Sequence, residues 1–288
     1  MIIRFYKNKQ SFWFTSLSDL LFLHNRTKKS ECMLSKSKIK LIQSLNRKKE
    51  RDETGLFLVE GNKMVEEALR SDFKVVTLIG TSAFLGSHPS ELTGIMEVVE
   101  TNKEFINKAS LLQNPQDSIA IVEKPDSSEI NLNFDSKLYL ALDFIQDPGN
   151  LGTIIRIADW FGIDTIICSE NTVDVYNPKV VQATMGAIFR VKCLYINLEQ
   201  VFTTIDTKKI PIYGTFMNGE NIYNESLTKN GIIVMGNEGN GISDSISGFI
   251  TKRLAIPTFS PNNEKSESLN VAIATSICCS EFRRRYPN

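Results

Sequence analysis

The sequence predicts an α/β fold in which a mostly parallel sheet is preceded by a smaller α/β domain. Short apolar segments typical of strands alternate with amphipathic segments typical of helices, and this alternation indicates a parallel sheet covered on both faces. The length of 288 residues favours about two domains of roughly 150 residues each. Three polar loops, two of them with glycine, follow strand candidates, where open α/β sheets bind ligands. From the residues alone, we expect the larger domain to be an open doubly wound sheet.

The first domain is expected at residues 34–124. Its basic segment at 35–50 predicts a single amphipathic helix, because its apolar residues follow helical spacing among cations. Further expected elements are strands at Leu56–Glu60, Val75–Ile79 and Ile119–Glu123 and a helix at Asn62–Arg70. A polar, turn-rich linker is expected at 125–133.

The second domain is expected at residues 134–288, where the alternation of strands and helices resumes. Its predicted strands are Leu138–Phe144, Thr165–Cys168, Ile212–Phe216, Gly231–Met235 and Lys252–Ile256. Its predicted helices lie near Leu151–Phe161, Val180–Ile188, Leu198–Ile205 and Leu269–Arg285.

The charges of the chain cancel only as an average. There are 33 Lys and Arg against 33 Asp and Glu, but residues 1–51 hold 13 of the basic residues and only three acidic ones. This asymmetry indicates a basic arm or face on an acidic body, which is compatible with nucleic acid and equally with a solvated amphipathic helix. No apolar run approaches the ~18 residues that a membrane span requires, so no membrane association is expected.

The cysteines favour neither a disulfide framework nor zinc. The five cysteines are scattered without a C-x-x-C pair, and only two histidines are present. We therefore expect no metal and a reducing, cytoplasmic location.

Residues 1–33 are expected to be an extension of uncertain status. The apolar stretch Ser11–His24 resembles a secretory signal, but Asp19 and several hydroxyl residues interrupt it and no small-residue cleavage site follows. The simpler hypothesis is that Met33 is the natural start.

The first chemical motif lies in Leu142–Ile163, LDFIQDPGNLGTIIRIADWFGI. The turn at 147–149 leads into a helix for which Asn150 is the expected N-cap. At roughly 100° per residue, Arg156 lies about 140° from Leu151 and points away from the buried stripe. Taken alone, this pattern favours a capped helix with a surface arginine.

Two further motifs follow later strands. Gly231–Ser243 (GIIVMGNEGNGIS) ends a strand in a loop with glycines on both sides of Glu238, but its spacing is not that of a dinucleotide-binding fingerprint. In Leu254–Ala274 (LAIPTFSPNNEKSESLNVAIA), Ser268 is the expected N-cap of the last helix. Either loop alone is weak evidence for a ligand site.

Together, D-x-P-x-N-x-G-x-x-x-R, G-N-E-G-x-G-I and I-P followed by S-L-N-V-A-x-A resemble the three motifs of the SpoU (TrmH-type) branch of the SPOUT methyltransferases. The stretch at 40–68 also resembles the amino-terminal RNA-binding domain that many of these enzymes carry. The resemblance covers about residues 34–286. It implies S-adenosylmethionine-dependent 2′-O-ribose methylation of structured RNA, with rRNA preferred to tRNA as the expected substrate. It also implies a homodimer and a trefoil-knotted domain. General topology rules would not suggest the knot.

The resemblance also implies roles for individual residues. The implied catalytic set is Asn150, Arg156, Glu238, Ser268 and Asn270. The implied set for the methyl donor is Thr215, Phe216, Gly236, Asn237, Gly239, Ile256, Pro257 and Leu269. The cations expected to bind RNA phosphates are Lys36, Lys38, Arg47, Lys48, Lys49 and Arg51. The sequence departs from the family pattern at 258–267, where the stretch is long and lacks the glycine often found in relatives.

Arg156 is expected to stabilise phosphate and the developing alkoxide rather than to act as a base, because guanidinium stays protonated in proteins. The proton acceptor remains open. Two alternatives also remain: a nucleotide-cofactor oxidoreductase that uses the glycine-rich loop, and a catalytically silent RNA-binding or ribosome-assembly protein.

Overall fold

A computed structural model of the chain describes residues 3–7, 10–14, 34–126, 132–259 and 268–286. Within these ranges the strands form a two-stranded, a four-stranded and a six-stranded sheet. The two-stranded sheet pairs β1 (Ile3–Lys7) antiparallel with β2 (Gln10–Phe14). Both strands lie in the predicted extension, whereas the proposed start at Met33 lies outside the described residues.

The four-stranded sheet belongs to the first predicted domain. Its strands are β3 (Leu56–Glu60), β4 (Val75–Gly80), β5 (Glu97–Glu100) and β6 (Ser118–Glu123). They lie in the order β3-β6-β4-β5, with only the β4–β5 pair parallel. The helices are α1 (Lys36–Ser44), α2 (Lys48–Thr54), α3 (Asn62–Leu69), α4 (Ser82–Ser87) and α5 (Lys103–Ala109).

The prediction of one helix at 35–50 is wrong. The first helix ends at Ser44, and α2 begins at Lys48 after a turn in which the Arg47 amide donates to the Ser44 carbonyl. The apolar stripe stops at Leu45, and the residues after it offer no apolar face that would continue the first helix axis. Elements α4, β5 and α5 were not predicted, because they are short and lie in polar sequence.

The six-stranded sheet is parallel throughout, as expected. Its strands are β7 (Leu138–Leu142), β8 (Thr165–Cys168), β9 (Lys192–Tyr195), β10 (Ile212–Asn221), β11 (Gly231–Met235) and β12 (Lys252–Ala255). They lie in the order β12-β10-β11-β7-β8-β9. The helices are α6 (Pro148–Trp160), α7 (Pro178–Thr184), α8 (Leu198–Thr203), α9 (Asp244–Ser247) and α10 (Val271–Arg285).

The edge between β10 and β12 departs from a regular ladder. Thr215 and Glu220 of β10 both pair with Leu254 of β12, so the residues between them bulge out of the sheet. A Cβ at Gly219 would lie 2.6 Å from the carbonyl carbon of Leu254. Only glycine therefore allows the returning chain to pass so close to β12.

The two larger sheets share one hydrophobic core. The Phe57 ring lies 4.8 Å from that of Tyr176, and the Phe73 ring lies 5.2 Å from that of Phe189. A surface ion-pair cluster closes the edge of this interface, where Arg190 contacts both Glu67 and Asp159.

A buried arginine crosses the same interface. Arg51 is 1% exposed and donates from Nε and Nη2 to Asp174 Oδ2 at 3.0 and 2.6 Å. Its Nη1 donates to the carbonyl oxygens of Leu45 and Asn46 at 2.8 and 2.9 Å. The pair therefore fixes the turn between α1 and α2 and ties it to the larger domain.

We expect Asp174→Asn to lower the free energy of unfolding by about 3 kcal/mol, because it leaves the buried Arg51 charge without a counter-ion. Urea unfolding followed by circular dichroism measures this loss. Asp164→Asn is the matched control: its 2.6 Å pair with Lys137 is about half exposed on both sides, so little change is expected. Equal effects of the two substitutions would contradict a structural role for the buried pair.

Candidate active site

The first motif places Asn150 inside a helix rather than at its cap. Asp147 is the N-cap of α6, and its side chain accepts a 2.8 Å hydrogen bond from the backbone N–H of Asn150. Pro148 lies in the first turn of the helix. The expectation that Asn150 caps the helix is therefore wrong, because Pro148 lacks an N–H and favours the first helical position. Since Asp147 fills the cap, the Asn150 side chain is available for other contacts.

Helix α6 presents Arg156 on its exposed side, as its spacing predicted, while Leu151 and Ile155 are fully buried. Gly152 sets how closely α6 packs on α7, because a Cβ there would lie 2.4 Å from that of Ala183. The position of Arg156 is thus fixed by a tightly packed helix.

Three motif loops meet at the side-chain amide of Asn150. Its Oδ1 accepts a 2.9 Å hydrogen bond from Asn270 Nδ2, and its Nδ2 donates to Glu238 Oε1 at 3.0 Å. Asn270 is itself the N-cap of α10, since its Oδ1 accepts from the Ala272 and Ile273 amides. The prediction of Ser268 as this cap is wrong, because α10 begins two residues later than expected. The chain Asn270–Asn150–Glu238, hereafter the amide chain, joins residues far apart in sequence.

The glycine loop after β11 is closed by Asn237. Its Oδ1 accepts from the Gly239 and Asn240 amides at 2.9 and 3.1 Å, and its Nδ2 donates to the Phe144 carbonyl at 2.8 Å. A Cβ at Gly236 would lie 2.2 Å from the Gly241 carbonyl carbon. The close approach within the loop therefore requires glycine at 236. The loop that Asn237 closes also carries Glu238.

The residues implied for the methyl donor lie on or just after the neighbouring strands β10, β11 and β12. Thr215 and Phe216 lie on β10, Gly236 follows β11, and Ile256 and Pro257 follow β12. They supply apolar side chains, a hydroxyl and backbone groups, which suit an adenosine with an uncharged ring.

Two further residues extend this surface. Leu269, just before α10, leaves half of its side chain exposed. Sequence analysis missed Arg253, whose guanidinium carbon lies 3.5 Å from the centroid of the Phe216 ring and restrains that ring by stacking. No local sequence pattern predicts this contact between Arg253 and Phe216. Ser268 and Arg156 are exposed, and among the described residues neither is joined to the amide chain by a hydrogen bond.

The cations predicted to bind RNA differ in availability. Lys36, Arg47, Lys48 and Lys49 are exposed, although Arg47 and Lys49 pair with Glu50 and Glu53 on the same helix. Lys38 is less open because it contacts Glu97 at 2.5 Å.

The prediction that Arg51 contacts RNA is wrong. Its guanidinium is buried against Asp174 and two backbone carbonyls, so it cannot reach a phosphate.

The described cysteines are poor candidates for chemistry. Burial raises the pKa of the Cys278 thiol to about 12 and raises the pKa of Cys279 as well, so neither forms a thiolate near neutral pH. Across the described ranges, no three His, Cys, Asp or Glu side chains are grouped as a metal site, and no helix has the length and apolarity to cross a membrane.

Comparison with known proteins agrees with this geometry. Residues 137–280 match the model of the SpoU rRNA Methylase family, and residues 36–120 match that of the MRM3-like substrate binding domain. A curated relative is the 23S rRNA (guanosine(2553)-2′-O)-methyltransferase RlmP of Bacillus subtilis (strain 168). It is 29% identical over 85% of this chain and 96% of its own length.

Two solved structures are similar over nearly their whole length. A TrmH-family protein from Porphyromonas gingivalis has a TM-score of 0.78 and 40% identity, covering 88% of this chain and 99% of its own. The AdoMet-bound rRNA methyltransferase from Sinorhizobium meliloti has a TM-score of 0.78 and 31% identity, covering 89% and 97%. These matches remove the oxidoreductase alternative. The chain belongs to the SpoU family of RNA methylases.

Proposed function

We propose that this protein transfers the methyl group of S-adenosylmethionine to a ribose 2′-hydroxyl of ribosomal RNA. The observation that carries the proposal is the amide chain, because it joins all three family motifs at one place, on the helix that also carries the exposed Arg156. The AdoMet complex of the Sinorhizobium meliloti relative and the rRNA substrate in the name of RlmP support the same donor and acceptor.

The methyl donor would be held by backbone and apolar groups on β10 and just after β11 and β12. Thr215, Phe216, Ile256 and Leu269 offer side chains of the right chemistry for the adenosine; Gly236, Asn237, Gly239 and Pro257 offer backbone there. When bound, this cofactor supplies an electrophilic methyl group on a sulfonium. The protein therefore needs no acid to activate the donor and must instead align the 2′-hydroxyl.

The chain's own residues divide the work at the acceptor. Asn150 has its amide fixed on both sides and holds the Glu238 carboxylate in one orientation. Arg156 stays protonated and stabilises the neighbouring phosphate and the negative charge that develops on the ribose oxygen. Asn270 places the last motif against the first, and Ser268 lies exposed two residues before it. Arg156 is therefore not the base that takes the hydroxyl proton.

The small domain is proposed to bind the RNA backbone. Lys36, Lys38, Arg47, Lys48 and Lys49 lie on α1, α2 and the turn between them. Such phosphate contacts give salt-dependent affinity without sequence specificity. The structured RNA is then read by its shape and its 2′-hydroxyls.

We also propose a homodimer formed through the larger domain. Helices α6 and α10 pack on each other, and they carry the exposed apolar side chains Trp160 (85% exposed) and Ile273 (55%). Exposed apolar surface of this kind is typical of a protein interface. The bulge in β10 and the close passage of Gly219 beneath β12 support a knotted carboxy-terminal chain. The four described cysteines are free and three of them are buried, which supports action in the cytoplasm.

The decisive test uses rRNA from cells that lack the gene, tritiated S-adenosylmethionine and mapping of 2′-O-methylation. The wild-type protein is expected to methylate one site, and Arg156→Ala to lower kcat/KM at least 100-fold, the scale of removing one charge-stabilising donor. Calorimetry should show unchanged donor affinity. Arg156→Lys, which keeps the charge but not the planar fork, should retain partial activity. Turnover by Arg156→Ala within threefold of wild type would refute the role.

Charge reversal tests the RNA face. The triple variant Lys36→Glu, Lys48→Glu, Lys49→Glu should weaken RNA binding and reduce the slope of log affinity against log salt by up to about three, about one for each lost phosphate contact. Filter binding at several salt concentrations measures both. Lys208→Glu with Lys209→Glu, at exposed positions of the larger domain, is the control. Unchanged affinity of the triple variant at low salt would argue against this face.

Sedimentation equilibrium tests the dimer. The wild-type protein should have twice the 32.5 kDa mass of the chain, and Trp160→Glu should shift it towards the monomer because a charge is costly in an apolar interface. Met96→Glu, at another exposed apolar position, should not. A monomeric wild-type protein would exclude the dimer.

A further inference from the structure

A cavity of about 350 Å³ opens beside the amide chain. It lies at the carboxyl ends of β7, β8, β9 and β11, away from the strands β10 and β12 that carry most of the residues assigned to the methyl donor. Among its described lining residues none is Lys, Arg or His, whereas three are carboxylates: Asp143, Glu170 and Glu199. Its volume is at the lower end of ligand pockets and suits one small ring system.

Asp143 supplies a buried acceptor to this cavity. The residue is 6% exposed, and its Oδ2 accepts a 2.8 Å hydrogen bond from the Ser243 amide. Within the described part of the chain no hydrogen bond engages its Oδ1, yet no fully buried side-chain oxygen there lacks a partner. That oxygen therefore keeps some solvent access, and Asp143 lines the cavity, where a ligand N–H would replace water.

Phe144 supplies a fixed aromatic wall. Its backbone has a φ of +64°, a conformation that few bulky residues adopt. Both of its backbone polar groups are held: the amide donates to Ser169 Oγ and the carbonyl accepts from Asn237 Nδ2, each at 2.8 Å. The backbone at Phe144 is thus held in one place, and the residue lines the cavity, where a flat ring can pack on its side chain.

The polar groups of the cavity define the ligand. The described carboxylates form no group that could hold a metal ion. We therefore expect them to accept hydrogen bonds from N–H groups of the ligand. The Oδ1 of Asn197 accepts from the Gln200 amide, which leaves its Nδ2 as a donor on the same wall. A flat ring with adjacent N–H donors and a nearby carbonyl fits this pattern. Guanine has N1–H and N2–H groups next to O6, whereas adenine, cytosine and uracil do not present two adjacent donors.

The cavity also lies within reach of the reaction. Asn237 lines it and lies next to Glu238, with its Nδ2 3.5 Å from Glu238 Oε2. A nucleotide whose ribose lies at the amide chain would have this cavity next to it, across the glycine loop. We propose that the cavity receives the base of the methylated nucleotide, turned out of its stack, and selects guanine. This inference rests on the proposed function.

The test first maps the methylated nucleotide in rRNA from cells without the gene. RNA fragments are then made with guanosine, inosine (which lacks the N2 amino group) or adenosine at that position. For the wild-type protein, kcat/KM should fall roughly 10- to 100-fold from guanosine to inosine and further to adenosine, as expected for loss of a base-edge contact. Asp143→Asn should lower turnover of the guanosine RNA and bring its ratio to inosine within about threefold.

Two variants keep the test independent of folding. Glu199→Gln, at an exposed position, should reduce the guanosine-to-inosine ratio at least threefold without changing the melting temperature. Asp135→Asn makes the same chemical change as Asp143→Asn at an exposed position before β7 and should leave the ratio unchanged. Donor affinity should be unaltered in all three.

The outcomes separate this proposal from the proposed function. Methylation at a nucleotide other than guanosine, equal use of guanosine and inosine by the wild type, or an unchanged ratio in both cavity variants would overturn the guanine cavity and leave the methyltransferase standing. Failure of the wild-type protein to methylate rRNA would overturn both.

Discussion

The Asn150 amide is the contact on which the site depends, because it is engaged on both sides by groups from other motifs. With Asn270 donating to its oxygen and Glu238 accepting from its nitrogen, the amide has one favourable orientation. Each of the three loops is fixed in turn: Asp147 caps α6, Asn237 closes the glycine loop, and Asn270 caps α10. Side chains that satisfy backbone groups thus also determine where the reactive groups lie, and the site is preorganised before any ligand binds.

Buried contacts also fix the interface between the two larger sheets. Arg51 leaves the basic surface of α2 to pair with Asp174 inside the interface, and the aromatic contacts of Phe57 and Phe73 share one core with the larger domain. An RNA held on the small domain is therefore held at a fixed distance from Arg156. Binding energy from the basic face can then be used for alignment, which is the main requirement of a methyl transfer.

Sequence reasoning succeeded where information is local. Strands β8 and β11 begin and end where expected, because a run of apolar residues bounded by polar or turn residues defines a buried strand by itself. It failed where the outcome depends on distant residues. Arg51 looks like any other cation in its run, and its burial is decided by Asp174, 123 positions away.

The caps failed for a related reason. Asp147 and Asn150 are both good cap residues, and only the position of Pro148 distinguishes them. The family motifs named the members of the amide chain, but neither motif nor composition predicted that Asn237 would hold Phe144 at a positive φ or that a cavity would form behind it.

The zero net charge of the chain hides a polarity that can orient a nucleotide. In the proposed function the cations of α1 and α2 and Arg156 would attract phosphate, whereas the cavity at Asp143 offers carboxylates and no cation among its described lining residues. A phosphate is repelled from that cavity and a base with N–H donors is accepted. With the base in the cavity and a phosphate at Arg156, as proposed, the ribose between them is the part of the nucleotide that would lie at Asn150. Electrostatics and hydrogen bonding would thereby place the 2′-hydroxyl, and no protein group would need to bind this hydroxyl strongly in the ground state. Such an arrangement favours the transition state over the substrate.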